Sequence, residues 1–277
     1  MNNFYKRTLT GIAFVAVLVS AILIHATTFF ALFALIVTLG IFEFYRIIDG
    51  ANVSPNKLLG GILGTVFFAV SCLYASDLVP VAAYWVVVPF ISAIFVAELY
   101  RKQASPFQNI AVTLFGALYV AVPFSLLVLF GFPEQGITAY QSNLILGFFF
   151  LLWSSDTGAY LTGVSIGKHP MFPRISPKKS WEGFAGGIVL TLFVAFIISN
   201  YFTALTLIDW LVIAVIICIF GVWGDLVESM LKRSLNIKDS GNILPGHGGI
   251  LDRFDSVLFS APIVFLYLQI KNYLMLF

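Results

Sequence analysis

Nine apolar runs, each of the roughly 17–25 residues that a bilayer-crossing helix requires, leave this 277-residue chain little choice of fold. They lie near residues 9–27, 29–47, 58–76, 79–97, 108–131, 142–165, 183–202, 208–228 and 256–275. Hydrocarbon offers backbone N–H and C=O groups no partner, so spans this apolar must satisfy themselves as helices. Composition agrees, with 60% hydrophobic residues, 10% charged, 29 Phe and a mean hydropathy of +0.99. The expected fold is all-α, a polytopic membrane bundle of about nine transmembrane helices. The first run follows Lys6 and Arg7, as a secretory signal would. It lacks a small-x-small cleavage site and leads straight into another apolar run, so it reads as an uncleaved anchor.

The basic residues orient the bundle. With the N-terminus in the cytoplasm and sides alternating, 14 of the 15 Lys and Arg fall inside and only Lys271 outside, as the positive-inside rule expects. The outer loops are short and nearly uncharged. No basic tail or aromatic-basic interleaving of the kind nucleic-acid binders carry is present, so no nucleic acid is expected as a partner. Cys72 and Cys218 both sit inside apolar runs and read as small packed hydrophobes. Residues 1–140 read as a scaffold of transmembrane helices. Residues 141–277 hold intramembrane acids and two long cytoplasmic loops, and function is expected there.

Ser229 to Asp255 is the most polar block of the chain. Asp225, Ser229, Lys232 and Arg233 stand at i, i+4, i+7 and i+8. A helix continuing past the eighth apolar run would place them on one stripe rising roughly 12 Å. Such a stripe offers a carboxylate for a hard cation and two cations for phosphate oxygens. Lys238 and Asp239 follow, then a small-residue stretch ending Pro245-Gly246-His247-Gly248-Gly249. Glycines let backbone approach a ligand, and exposed amides in such turns cradle anions. The Gly-Lys-Ser/Thr ending of a Walker loop is missing. His247 is a candidate for phosphate binding, proton transfer or simply holding the loop. Asp252-Arg253-Phe254-Asp255 opens the ninth span, with the aspartates at i and i+3 on one face. Ordinary N-terminal capping competes for Asp255. For Asp252 metal binding is preferred, since Asp225 reaches the same membrane depth from the preceding helix and the pair would suit Mg²⁺.

The other long loop holds Lys168, Arg174 and the run Ser176-Pro177-Lys178-Lys179. Topology alone accounts for Lys168 and Arg174; the stiff Ser-Pro-Lys-Lys run reads as a phosphate clamp. Asp156 lies inside an apolar span, where burying an acid costs roughly 2.5–3.5 kcal/mol, so function is the default. It is a candidate to join the metal site or to pin helices together.

These residues resemble the phosphatidate cytidylyltransferases, also called CDP-diacylglycerol synthases. The resemblance rests on Ser229, Lys232, Arg233, Lys238, Asp239, Pro245, His247, Gly248, Gly249, Asp252, Arg253 and Asp255, all in place. Asp156-Thr157-Gly158-Ala159-Tyr160 and Ser176 to Gly183 extend it over roughly residues 150–260. After Gly163, where the family commonly carries a basic residue, this chain has Val164, so no headgroup contact is assigned there. The resemblance implies CMP transfer from CTP to phosphatidic acid, releasing pyrophosphate, with Mg²⁺ and room for a second, monovalent cation. It implies catalytic roles for Asp225, Ser229, Lys232, Arg233, Lys238, Asp239, His247, Asp252, Arg253 and Asp255. Phosphate binding falls to Lys168, Ser176, Lys178, Lys179, Gly248 and Gly249, and metal binding to Asp225 and Asp252, with Asp156 a further candidate. The expected setting is a bacterial inner membrane with the active site facing the cytoplasm; a homodimer rests only on the general prior for oligomers. The rival reading is an ion-coupled transporter of an anionic solute. Its coupling residues would sit at the midplane on broken helices of paired repeats, and no repeat is visible here.

Overall fold

The computed structural model describes residues 3–49, 53–237, 239–241 and 248–274. Among them are nine α-helices: α1 (Asn3–Ile24), α2 (Ala26–Ile48), α3 (Lys57–Ala75), α4 (Val87–Arg101), α5 (Pro106–Phe130), α6 (Ser142–Ile166), α7 (Trp181–Ser199), α8 (Leu207–Ser234) and α9 (Leu251–Leu274). Eight helical segments are long and apolar enough to cross a membrane, and α1 adds the shorter apolar stretch Thr8–Ile24. The chain is a polytopic helical membrane protein, with a helix on each of the nine apolar runs.

Local chemistry sets the breaks. His25 turns extended between α1 and α2 and caps α2: its Nδ1 accepts from the Thr27 N–H, while Thr28 Oγ1 accepts from the His25 N–H. That reciprocal box separates two helices with one residue between them. The fourth apolar run begins not as an α-helix but as a 3-10 turn, Val81–Val86. Pro89 lies in the first turn of α4 and has no N–H to donate backward, which confines the α-helix to the residues from Val87 on.

The chain divides into two compact units, one of Met1–Tyr140 with Leu235–Phe254, the other of Gln141–Ser234 with Asp255–Phe277. In the first, α2, α3 and α5 pack together, with Tyr45 fully buried and its hydroxyl donating to the Thr113 carbonyl. A polar network holds the start of α3 to α4 and α5. Arg101 Nη1 donates to Glu98 and to the Ser54 carbonyl, both at 2.8 Å, and Asn109 Nδ2 donates to Glu98 at 2.6 Å.

In the second unit α6 lies against α7 and α7 against α8. Small residues permit the α6–α7 approach: a β-carbon on Gly158 would sit 2.7 Å from the Gly186 carbonyl oxygen and 2.9 Å from Leu190 Cβ. At the other end of this unit the buried Asp209 accepts from Lys271 Nζ at 2.6 Å and from the Tyr267 hydroxyl at 2.8 Å. Lys271, the one base on the expected outer side, therefore has a counter-ion within the protein.

Replacing Gly158 by valine forces α6 off α7 backbone, not off a movable side chain. Overpacking of this kind costs about 1–3 kcal/mol, so thermal unfolding of the purified Gly158→Val protein in detergent is expected to show Tm lowered by several degrees.

Candidate active site

A cleft of about 310 Å³ opens in the second unit, lined by Asp156, Tyr160, Lys178, Lys179, Ser180 and Asp225 among others. Helical spacing delivers the first two. Ser155 and Gly158 are buried on α6, whereas Asp156 and Tyr160, four residues apart, are exposed together on another face. Asp156, inside the apolar span Ser142–Ile166, is exposed and lines the cleft instead of being buried among its apolar neighbours.

A two-stranded antiparallel hairpin, β1 (Pro170–Phe172) and β2 (Ser176–Ser180), supplies the lysines. The Ser-Pro-Lys-Lys run, expected as a stiff loop, is its second strand. Glu182, in the first turn of α7, holds the hairpin's base. Its Oε2 accepts from the Lys168 and His169 backbone N–H groups at 3.1 and 3.2 Å, and its Oε1 lies 2.5 Å from His169 Nδ1. Ser180 caps α7 by accepting from the Gly183 N–H. Lys179 Nζ reaches Asp225 at 2.5 Å. Lys168 and Arg174 are exposed, and Ser176 pairs with Phe172 in the hairpin.

α8 does run on to Ser234, so the stripe from Asp225 to Arg233 is helical throughout. The Ser229 hydroxyl donates to Asp225 Oδ1 at 3.1 Å, Lys232 Nζ lies 2.5 Å from Glu228, and Arg233 is exposed. Gly224, buried, leaves room for the Asp255 carbonyl, which a β-carbon there would strike. That close approach gathers three acids: ligand oxygens of Asp225, Glu228 and Asp255 all lie within 4.8 Å of one another. Ionised pairs at such a distance repel by roughly 3 kcal/mol at an effective dielectric of about 20. Lys179 and Lys232 offset two of the three charges. Three hard oxygen donors suit a divalent cation such as Mg²⁺. Glu228, whose 1% exposure makes it the most buried of the three, was not singled out as a ligand in the sequence. Its i+3 spacing from Asp225 was the available signal.

Asp252 is engaged elsewhere, in the first unit. Its Oδ2 accepts from the Ser240 N–H at 3.0 Å, the Ser240 hydroxyl at 2.9 Å and the Gly249 N–H at 2.8 Å. Gly248 holds a positive φ of 82°, and a β-carbon there would sit 2.5 Å from the same oxygen. Gly248 and Gly249, expected to offer amides to phosphate, here make room for carboxylates, and the Gly249 amide is donated to Asp252. Asp239 and Arg253 are exposed. Lys238, Pro245 and His247 lie outside the described residues.

A helical membrane protein with clustered acids and lysines at one cleft has the parts of a metal-assisted enzyme acting on phosphates. The comparisons name the class. The family model described as "cytidylyltransferase family" matches residues 5–271. A phosphatidate cytidylyltransferase of Bacillus subtilis is 32% identical over 271 residues, 98% of this chain and 99% of the relative. One of Staphylococcus haemolyticus is 42% identical over 165 residues, 59% of this chain and 60% of the relative. This chain belongs to the cytidylyltransferase family, and it is a nucleotidyltransferase.

Glu182→Gln replaces a charged acceptor serving two amides and an imidazole. Amide exchange at Lys168 and His169 is therefore expected to quicken, read by exchange mass spectrometry.

Proposed function

We propose that this chain transfers CMP from CTP to phosphatidic acid at the cleft of the second unit, giving CDP-diacylglycerol and pyrophosphate. The observation that carries the reading is that Asp225 belongs both to the three-acid cluster and to the lysine-lined cleft. The family match and the names of the relatives support the substrate pair.

In this reaction an oxygen of the lipid phosphate bonds to the α-phosphorus of CTP, and the α–β phosphoanhydride bond breaks to release pyrophosphate. The lipid phosphate is already ionised near neutral pH, so no strong general base is required. Asp225, Glu228 and Asp255 would hold Mg²⁺, which when bound offsets negative charge on the transferring phosphoryl and on the leaving group. Lys179 exchanges Asp225 for a phosphate oxygen, while Lys178 lines the same cleft and adds positive charge. Positioned cations of this kind stabilise charge most strongly in the transition state. Asp156 and Tyr160 bound the cleft on the α6 side. We place the cleft on the cytoplasmic side of a bacterial inner membrane, because that orientation puts 14 of 15 basic residues inside.

Purified protein in mixed micelles is expected to turn labelled CTP into CDP-diacylglycerol, with equimolar pyrophosphate, only when phosphatidic acid and Mg²⁺ are both present. Activity in micelles, with no closed compartment, also separates this reading from the transporter. Asp225→Asn and Glu228→Gln should each lower turnover by about 100-fold or more while leaving the protein folded; near-normal turnover in either would remove the three-acid cluster from the reaction.

A further inference from the structure

An acid in the N-terminal half shapes the signature segment. Glu43 lies in α2 between Phe42 and Phe44, with only 3% of its surface exposed. A carboxylate in so apolar a run is costly unless it has donors, and among the described residues Glu43 has them on Ser240, Ile250 and Leu251. The Ile250 N–H donates to its Oε2 at 2.8 Å and the Leu251 N–H to its Oε1 at 3.0 Å. The Ser240 hydroxyl lies between Glu43 Oε1 and Asp252 Oδ2, in hydrogen-bond contact with both. A β-carbon on Gly249 would collide with Glu43 Oε1, and one on Gly241 would sit 3.0 Å from Oε2. Glu43 therefore clamps both flanks of the segment at once, Ser240-Gly241 on one side and Gly249 to Leu251 on the other. It also takes up N–H groups at the start of α9, which have no partner within the helix.

We propose that Glu43 is a positioning residue for the nucleotidyl transfer, holding the described residues 239–241 and 248–253, among them Asp239, Gly248, Gly249, Asp252 and Arg253, in their working arrangement. This rests on the reaction proposed above. Among the described residues each Glu43 oxygen accepts from a backbone N–H, Oε2 from Ile250 and Oε1 from Leu251, so an amide cannot replace the carboxylate: the NH₂ of a glutamine would face one of these N–H groups. Aspartate keeps the charge and both oxygens on a shorter stem. A shift of the order of 1 Å in such a support costs about 100-fold in rate.

The test compares Glu43→Gln, Glu43→Asp and Ser240→Ala with the unsubstituted full-length protein in micelles, at saturating Mg²⁺. Amide exchange at Ile250 and Leu251 is followed beside kcat and KM for CTP. Glu43→Gln is expected to speed that exchange about tenfold or more and to lower kcat of the folded fraction about 100-fold, with KM for CTP moving much less. Glu43→Asp should recover at least about tenfold of the loss. A purely structural role would lower the folded fraction and leave kcat of the remainder unchanged; that result overturns the proposal. Should Glu43→Gln not fold, Ser240→Ala decides: it deletes the hydroxyl between Glu43 and Asp252, and an unchanged kcat there rejects the role. Absence of CTP turnover in the unsubstituted protein would instead sink the proposed reaction. An active unsubstituted protein with equally active variants would sink only the role of Glu43.

Discussion

Hydrocarbon supplies no hydrogen bonds, and the other features of this protein follow from that constraint. Each span must close its own backbone bonds as a helix, and each polar side chain within a span must find a partner in the protein. The buried acids obey this one by one. Glu98 accepts from Arg101 and Asn109, Asp209 from Lys271, Tyr267 and Thr206, and Glu43 from backbone at the start of α9. Asp209 and Glu43 thereby join elements far apart in sequence and Glu98 joins neighbouring helices, so the cost of burying each is offset by contacts that also specify packing. The three acids clustered at Asp225 differ in kind. Their company is other acids and lysines, which is the arrangement that repels in isolation and favours a bound cation.

The frame around the cleft is set by close backbone approach. Helices gain little from hydrophobic burial against one another in lipid, so small residues and tight contact do more of the work. Gly158 against Gly186 fixes α6 on α7, and Gly224 against the Asp255 backbone fixes α8 on the start of α9. The first contact orients the helix that bears Asp156 and Tyr160; the second brings Asp255 to Asp225 and Glu228. A reaction joining a soluble nucleotide to a membrane-held phosphate needs such a frame, because charge must converge where lipid and water meet.

The helices were legible from the runs of apolar residues because each helix satisfies its own backbone and needs nothing from its neighbours. The break at His25 carried its signal too, in the Thr27-Thr28 pair that completes the cap. The hairpin at Pro170–Ser180 did not, since two short strands beside a proline carry almost no periodicity. Among the site residues, Asp225, Lys178 and Lys179 share the cleft with Asp156, as their charge in an apolar chain suggested. In the sequence Asp252 is preferred because Asp225 reaches the same membrane depth, while capping competes for Asp255; the structure brings the Asp255 carboxylate to those of Asp225 and Glu228. The role of Glu43 depends on donors that lie far away along the chain, which its place near the end of an apolar run does not disclose.

What the sequence by itself determined is the membrane-spanning helical architecture, the family and the short inventory of charged residues able to handle phosphate. These depend on composition, on helical spacing along one chain and on a motif with many filled positions. Only the tertiary structure decided which carboxylates converge, which glycines make room for them, and that Glu43, about two hundred residues upstream, is the acceptor for donors on Ser240, Ile250 and Leu251. The reason is physical: a carboxylate's role follows from the donors and charges within a few ångströms of it. Those neighbours come from helices whose order in the chain says nothing about which of their faces meet.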